Sequence, residues 1–184
     1  MIKTWEKFPN YISFFQLRIK SRDEKGYLEI YQSLKNFSNL NIIINDRWEI
    51  ALNEKSFGLH LGKEDYESLE YQAKTAIKNS SFIKGISSHS IEDIQNLENF
   101  WSYSGIGPLF HTTTKNTIYN PIGISKLLEI SEISSIPLVA IGGISIENIK
   151  VIAGIKNVIP ASISLFSQAE NFSGIVKIWS ENMT

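Results

Sequence analysis

Cysteine is absent from this chain, so neither a disulfide nor a thiolate-held metal can contribute, and the redox compartment cannot be read from cysteine usage. Long apolar runs are missing too. No segment approaches the roughly 20 apolar residues that a membrane-spanning helix needs, and residues 1–10, with Lys3, Glu6, Lys7 and Pro9, lack the core of a signal peptide. Nor does one charge predominate: 18 Lys and Arg stand against 19 Asp and Glu, mixed along the chain. That balance removes the electrostatic case for nucleic acid or an anionic membrane as partner. The chain has no dinucleotide fingerprint, no Walker run and no assembly of Ser-His-Asp type, and no two of its three histidines have zinc-ligand spacing. By default, these absences leave a cytoplasmic protein.

What is present is a regular alternation. Apolar runs of strand length fall near Tyr11–Lys20, Asn41–Asp46, Phe57–Gly62, Phe82–Ser87, Tyr103–Phe110, Pro137–Gly142 and Val158–Leu165. Helical patterns separate or follow them near Asp23–Phe37, Arg47–Asn53, Tyr66–Asn79, Ile91–Trp101, Gly123–Glu132, Ile146–Ala153 and Gly174–Glu181. Strands apolar on both faces, with helices between, predict a parallel sheet covered all round in a single α/β domain over residues 1–184. Polar residues close at least six of these strands, which favours a TIM-type (β/α) barrel over an open sheet with one switch point. Only seven strands can be read, and the expectation is a barrel lacking its first βα unit. Unpaired edges of that kind are usually covered or paired, and a second copy of the chain is one partner that would do so.

Six strand ends carry candidate chemistry. In Gln16-Leu17-Arg18-Ile19-Lys20 the alternation of a strand puts Gln16, Arg18 and Lys20 on one face. A guanidinium fork beside an ammonium suits a diphosphate. Ile42-Ile43-Ile44 ends in Asn45-Asp46, and Asp65 follows the next strand. Two carboxylates together with substrate phosphates would suit Mg²⁺, although either Asp could instead cap the helix that follows it. Gly107 to Lys115 runs from a strand into Thr112-Thr113-Thr114-Lys115, three hydroxyls and an ammonium with no acid among them, a donor set for an anion. Gly142-Gly143 permits close backbone approach, and Ser164 at the end of the last strand could share a phosphate there.

Taken in order, these segments resemble thiamine phosphate synthase (thiamin-phosphate pyrophosphorylase) from about Tyr11 to Glu170. The resemblance implies that Gln16, Arg18, Lys20 and Asn45 bind the diphosphate of a hydroxymethylpyrimidine substrate and that Asp46 and Asp65 hold Mg²⁺. Ser87, within Gly85-Ile86-Ser87-Ser88-His89, would meet the pyrimidine. Thr112, Thr114, Gly143, Ile163 and Ser164 would hold a thiazole phosphate, and Lys115 would reach the diphosphate. Arg18, Lys20, Lys115 and Ser87 are the residues expected to serve catalysis. The implied reaction joins the two phosphorylated substrates into thiamine phosphate and pyrophosphate. Three departures stand out: Ile19 where Glu is common, His111 where Pro is usual, and Ile155 to Pro160 in place of a Gly-rich approach. Two other readings share this scaffold. A thiazole tautomerase would carry histidine where Pro108 stands, and a degenerate relative would bind one substrate without turnover.

Overall fold

The computed structural model describes residues 11–37, 40–112, 119–167 and 172–182. Their elements alternate as expected. The strands are β1 (Phe15–Leu17), β2 (Ile42–Asn45), β3 (Gly58–Leu61), β4 (Ile83–Ser88), β5 (Tyr103–Ile106), β6 (Leu138–Ile141) and β7 (Val158–Ala161). The helices are α1 (Glu24–Phe37), α2 (Trp48–Asn53), α3 (Lys63–Glu67), α4 (Tyr71–Asn79), α5 (Ile91–Gln95), α6 (Gly123–Ile133), α7 (Lys150–Ala153), α8 (Ser164–Ser167) and α9 (Phe172–Asn182). By contact the chain divides into two compact units, Ile12–Ser87 and a second that takes in Ser88 onward.

In the first unit β1 pairs with β2, β2 with β3 and β3 with β4, all parallel. Ile42, Ile43 and Ile44 are all buried, as a strand covered on both faces requires. Helix α1 begins where the Asp23 carboxylate accepts from the Gly26 amide at 2.9 Å, and it turns Tyr27 and Tyr31 (one helical turn apart) into the core. The continuous helix expected over Tyr66–Asn79 is instead two, α3 and α4. Ser68 explains the break: its hydroxyl donates back to the Asp65 carbonyl at 2.8 Å, competing with the helical ladder. Lys74 then closes α3 by donating to the Glu67 carbonyl at 2.8 Å.

In the second unit β5 pairs with β6 and β6 with β7, again parallel. Its core gathers Ile106, Leu109, Leu127, Ile130, Leu138 and Ile152. A capping box starts α5, with Ser90 accepting from Asp93 N and Asp93 bonding back to the Ser90 amide. Helix α5 nevertheless stops at Gln95, short of the Trp101 expected, where Asn96 donates to the Glu92 carbonyl at 2.8 Å. The strand expected to reach Leu165 ends at Ala161 and gives way to α8. Before it, Asn157 takes a left-handed φ of 64°, the conformation for which Asn is the usual substitute for glycine.

Candidate active site

The first unit holds an open cleft of about 480 Å³ bordered by Arg18, Lys20, Asn45, Asp46 and Asp65. Strand β1 stops at Leu17, yet the alternation continues past it. Gln16, Arg18 and Lys20 are exposed, while Leu17 and Ile19 are half-buried. Asn45 is the last, buried residue of β2. Asp46 follows with φ at +65°, and its amide donates to the His60 carbonyl at 2.9 Å. Asp65 reaches the same cleft from the first turn of α3. Neither carboxylate occupies an N-cap position: those belong to Arg47 for α2 and Gly62 for α3.

Burial pushes the Asp46 carboxyl above its ordinary pKa, and the neighbouring Asp65 charge adds to the effect. Arg18, Lys20 and the Asn45 side chain act in the opposite direction. Two like charges pressed together in a partly dry cleft are the arrangement that a divalent cation relieves. Among the described residues no group of three or more His, Cys, Asp or Glu gathers to chelate an ion. A carboxylate pair suits Mg²⁺, which is commonly held by one or two carboxylates with phosphate oxygens and water.

Two expected members of this group stand apart from the cleft lining. Gln16 is exposed on β1. Ser87, on β4, forms a 3.0 Å hydrogen bond with His60 Nε2, and His60 lies beside Asn45 in the β2–β3 register.

The second unit brings another set together. Leu109 N donates to the Ile141 carbonyl at 2.8 Å, and Phe110 N to that of Gly142 at 2.9 Å, so the chain leading to Thr112 runs against the Gly142-Gly143 turn. Gly143 has φ at +66°, and a Cβ there would collide with the His111 carbonyl oxygen. The position therefore requires glycine on two counts. Ser162 donates to the Ile144 carbonyl at 3.3 Å and accepts from Leu165 N at 3.2 Å, tying the Ile163-Ser164 turn to the same β6 end. Ile163 is 62% exposed, and Ser164 opens α8. Thr112, Gly143, Ile163 and Ser164 thus sit on neighbouring segments. Thr114 and Lys115 lie outside the described residues.

Sequence reading missed Arg47, Trp48, Ser68 and Leu69, which also border the cleft of the first unit. Arg47 had a legible signal, a cation next to Asp46. Ser68 and Leu69 had none, because they reach the cleft only through the break between α3 and α4.

Comparison with known proteins shows the family. The family model described as thiamine monophosphate synthase matches residues 6–164. Thiamine-phosphate synthase of Halalkalibacterium halodurans is 31% identical over 173 residues, covering 92% of this chain and 81% of that protein. The Proteus mirabilis enzyme of the same name is 32% identical over 171 residues, with 89% and 77% covered. Among solved structures, thiamine phosphate pyrophosphorylase from Pyrococcus furiosus superposes with a TM-score of 0.73 at 27% identity, over 92% of this chain and 83% of that one. The parallel βα units are accordingly of the TIM-barrel type. On these matches, the chain belongs to the thiamine monophosphate synthase family.

Proposed function

We propose that this protein is a thiamine phosphate synthase, a Mg²⁺-dependent transferase that joins hydroxymethylpyrimidine diphosphate to thiazole phosphate and releases pyrophosphate. The observation that carries the proposal is the cleft in which Arg18 and Lys20 face the Asp46–Asp65 pair, in a chain whose family match crosses both units without interruption. That continuity also supports reading residues 1–184 as one domain. Among the described residues no helix is long and apolar enough to cross a membrane, and we assign the enzyme to the cytoplasm.

Arg18 and Lys20 would grip the diphosphate, the guanidinium through paired hydrogen bonds and the ammonium as a compact charge. Lys115 would add a second ammonium. These cations stabilise the charge that collects on the leaving group as the C–O bond to the pyrimidine methylene breaks. Asn45 and Gln16 would orient the diphosphate end. Ser87, held by His60, would fix the pyrimidine ring so that its methylene faces the incoming thiazole. The thiazole nitrogen then supplies the electron pair for the new C–N bond, while Thr112, Thr114, Gly143, Ile163 and Ser164 hold its phosphate. Mg²⁺, held by Asp46 and Asp65, would supply further neutralisation of the diphosphate. No proton need be removed for bond formation, so positioning carries much of the rate.

The test is direct. Purified protein with both substrates and Mg²⁺ is expected to yield equimolar thiamine phosphate and pyrophosphate, and chelation of Mg²⁺ is expected to abolish the product. Binding of both substrates without turnover would defeat the proposal and favour a non-catalytic relative.

A further inference from the structure

Tyr27 is completely buried, and its hydroxyl donates to the Leu17 carbonyl at 2.7 Å. Leu17 is the last residue of β1, so this bond fixes the point from which Arg18 and Lys20 project. Leu17 pairs with Ile44 in the β1–β2 register, and Asn45 and Asp46 follow directly on that neighbouring strand. The hydroxyl therefore fixes the strand end carrying the two cations, which lies beside the strand end carrying a carboxylate.

Arg47 braces it. The guanidinium lies 4.7 Å from the Tyr27 ring centroid and donates through Nη2 to the Arg22 carbonyl at 2.6 Å. The turn bearing Arg18 and Lys20 is held at one end by the phenol and at the other by this guanidinium. Although Arg47 borders the cleft, its charged group is engaged with the ring and the turn. A phenylalanine at position 27 would fill nearly the same core volume, so packing alone does not explain the hydroxyl.

We propose that Tyr27 and Arg47 are a positioning pair that sets the Arg18–Lys20 turn against Asp46 and thereby raises the affinity of the cleft for a diphosphate group. The inference rests on the synthase reading of that cleft. Long cationic side chains lose rotamer freedom when they converge on an anion, and a fixed backbone root lowers that cost. Neither residue needs to touch the reacting atoms.

The experiment is calorimetric titration of inorganic pyrophosphate in Mg²⁺, with thiazole phosphate as the parallel ligand. Wild type, Tyr27→Phe, Arg47→Gln and the double variant are compared. Each single change is expected to weaken pyrophosphate about tenfold, the scale of one hydrogen bond's contribution, and to leave thiazole phosphate unchanged. The double variant should be little worse than either single one, because the two side chains act as a unit. Unchanged pyrophosphate affinity, equal losses for both ligands, or additive losses would each overturn the inference. Should Tyr27→Phe fail to fold, the selective loss in Arg47→Gln decides alone. Wild-type protein that binds no pyrophosphate would instead defeat the synthase reading, and the positioning pair with it.

Discussion

At the residue scale, Asp46 is where structure and chemistry pull against each other. Its φ of +65° is uncommon for a residue with a side chain, and its carboxyl is pushed above the ordinary pKa first by burial and then by Asp65. The folded protein therefore binds this proton more tightly than the unfolded chain does. Stability of the metal-free protein is highest while Asp46 stays protonated, and it falls as pH rises through the folded pKa. Asparagine tolerates the same backbone and carries no charge, so Asp46→Asn is expected to raise the metal-free Tm by on the order of 2 °C. Mg²⁺-dependent turnover should fall by about two orders of magnitude. A lowered Tm with full activity would remove Asp46 from both roles. Asp46 was legible because a carboxylate closes a run of isoleucines, whereas Tyr27 was not: a tyrosine on the apolar face of a helix reads as packing, and only its hydroxyl partners say otherwise.

At the scale of elements, Lys84 shows how a strand can finish a helix. It lies in β4 and is only 8% exposed. Its ammonium donates to the Ser80 carbonyl at 2.8 Å and the Phe82 carbonyl at 3.1 Å, just beyond the end of α4 at Asn79. A cation at a helix C-terminus satisfies carbonyls that the ladder leaves over. Burial lowers the pKa of this lysine, yet the two acceptors give the charge a partner. Lys84→Ala is expected to cost about 1–3 kcal/mol, read as a lower urea midpoint, with both KM values unchanged. A selective rise in one KM would instead tie Lys84 to the site. The longer helices were readable from apolar spacing, but α8 and the helix ends were not. The Ser68 break and the Asn96 stop depend on side chains that bond back to carbonyls, and apolar spacing does not record such bonds.

For the molecule as a whole, seven strands were countable in advance, because each is a short apolar run bounded by polar or glycine-containing turns. Their lengths were overestimated wherever alternation outlasts the ladder, as at Gln16 to Lys20. Among the described residues most of the proposed binding groups follow this design, sitting near the C-terminal end of a strand. Ligand binding should therefore register as global stability. Pyrophosphate with Mg²⁺ at one hundred times its Kd adds about 2.7 kcal/mol, which for a chain of this size raises Tm by about 5–10 °C. Mg²⁺ alone or pyrophosphate alone should produce much less. An equal shift from pyrophosphate without Mg²⁺ would argue that the carboxylate pair takes no part.

Helix α3 has five residues, too few to persist by its own hydrogen bonds in water. Its orientation is inherited from β3 on one side and from the Lys74 clasp on the other. The Asp65 carboxylate is thus not transplantable by itself. Grafting this acidic corner onto another scaffold would require the segment from β3 through α4 to travel as one block.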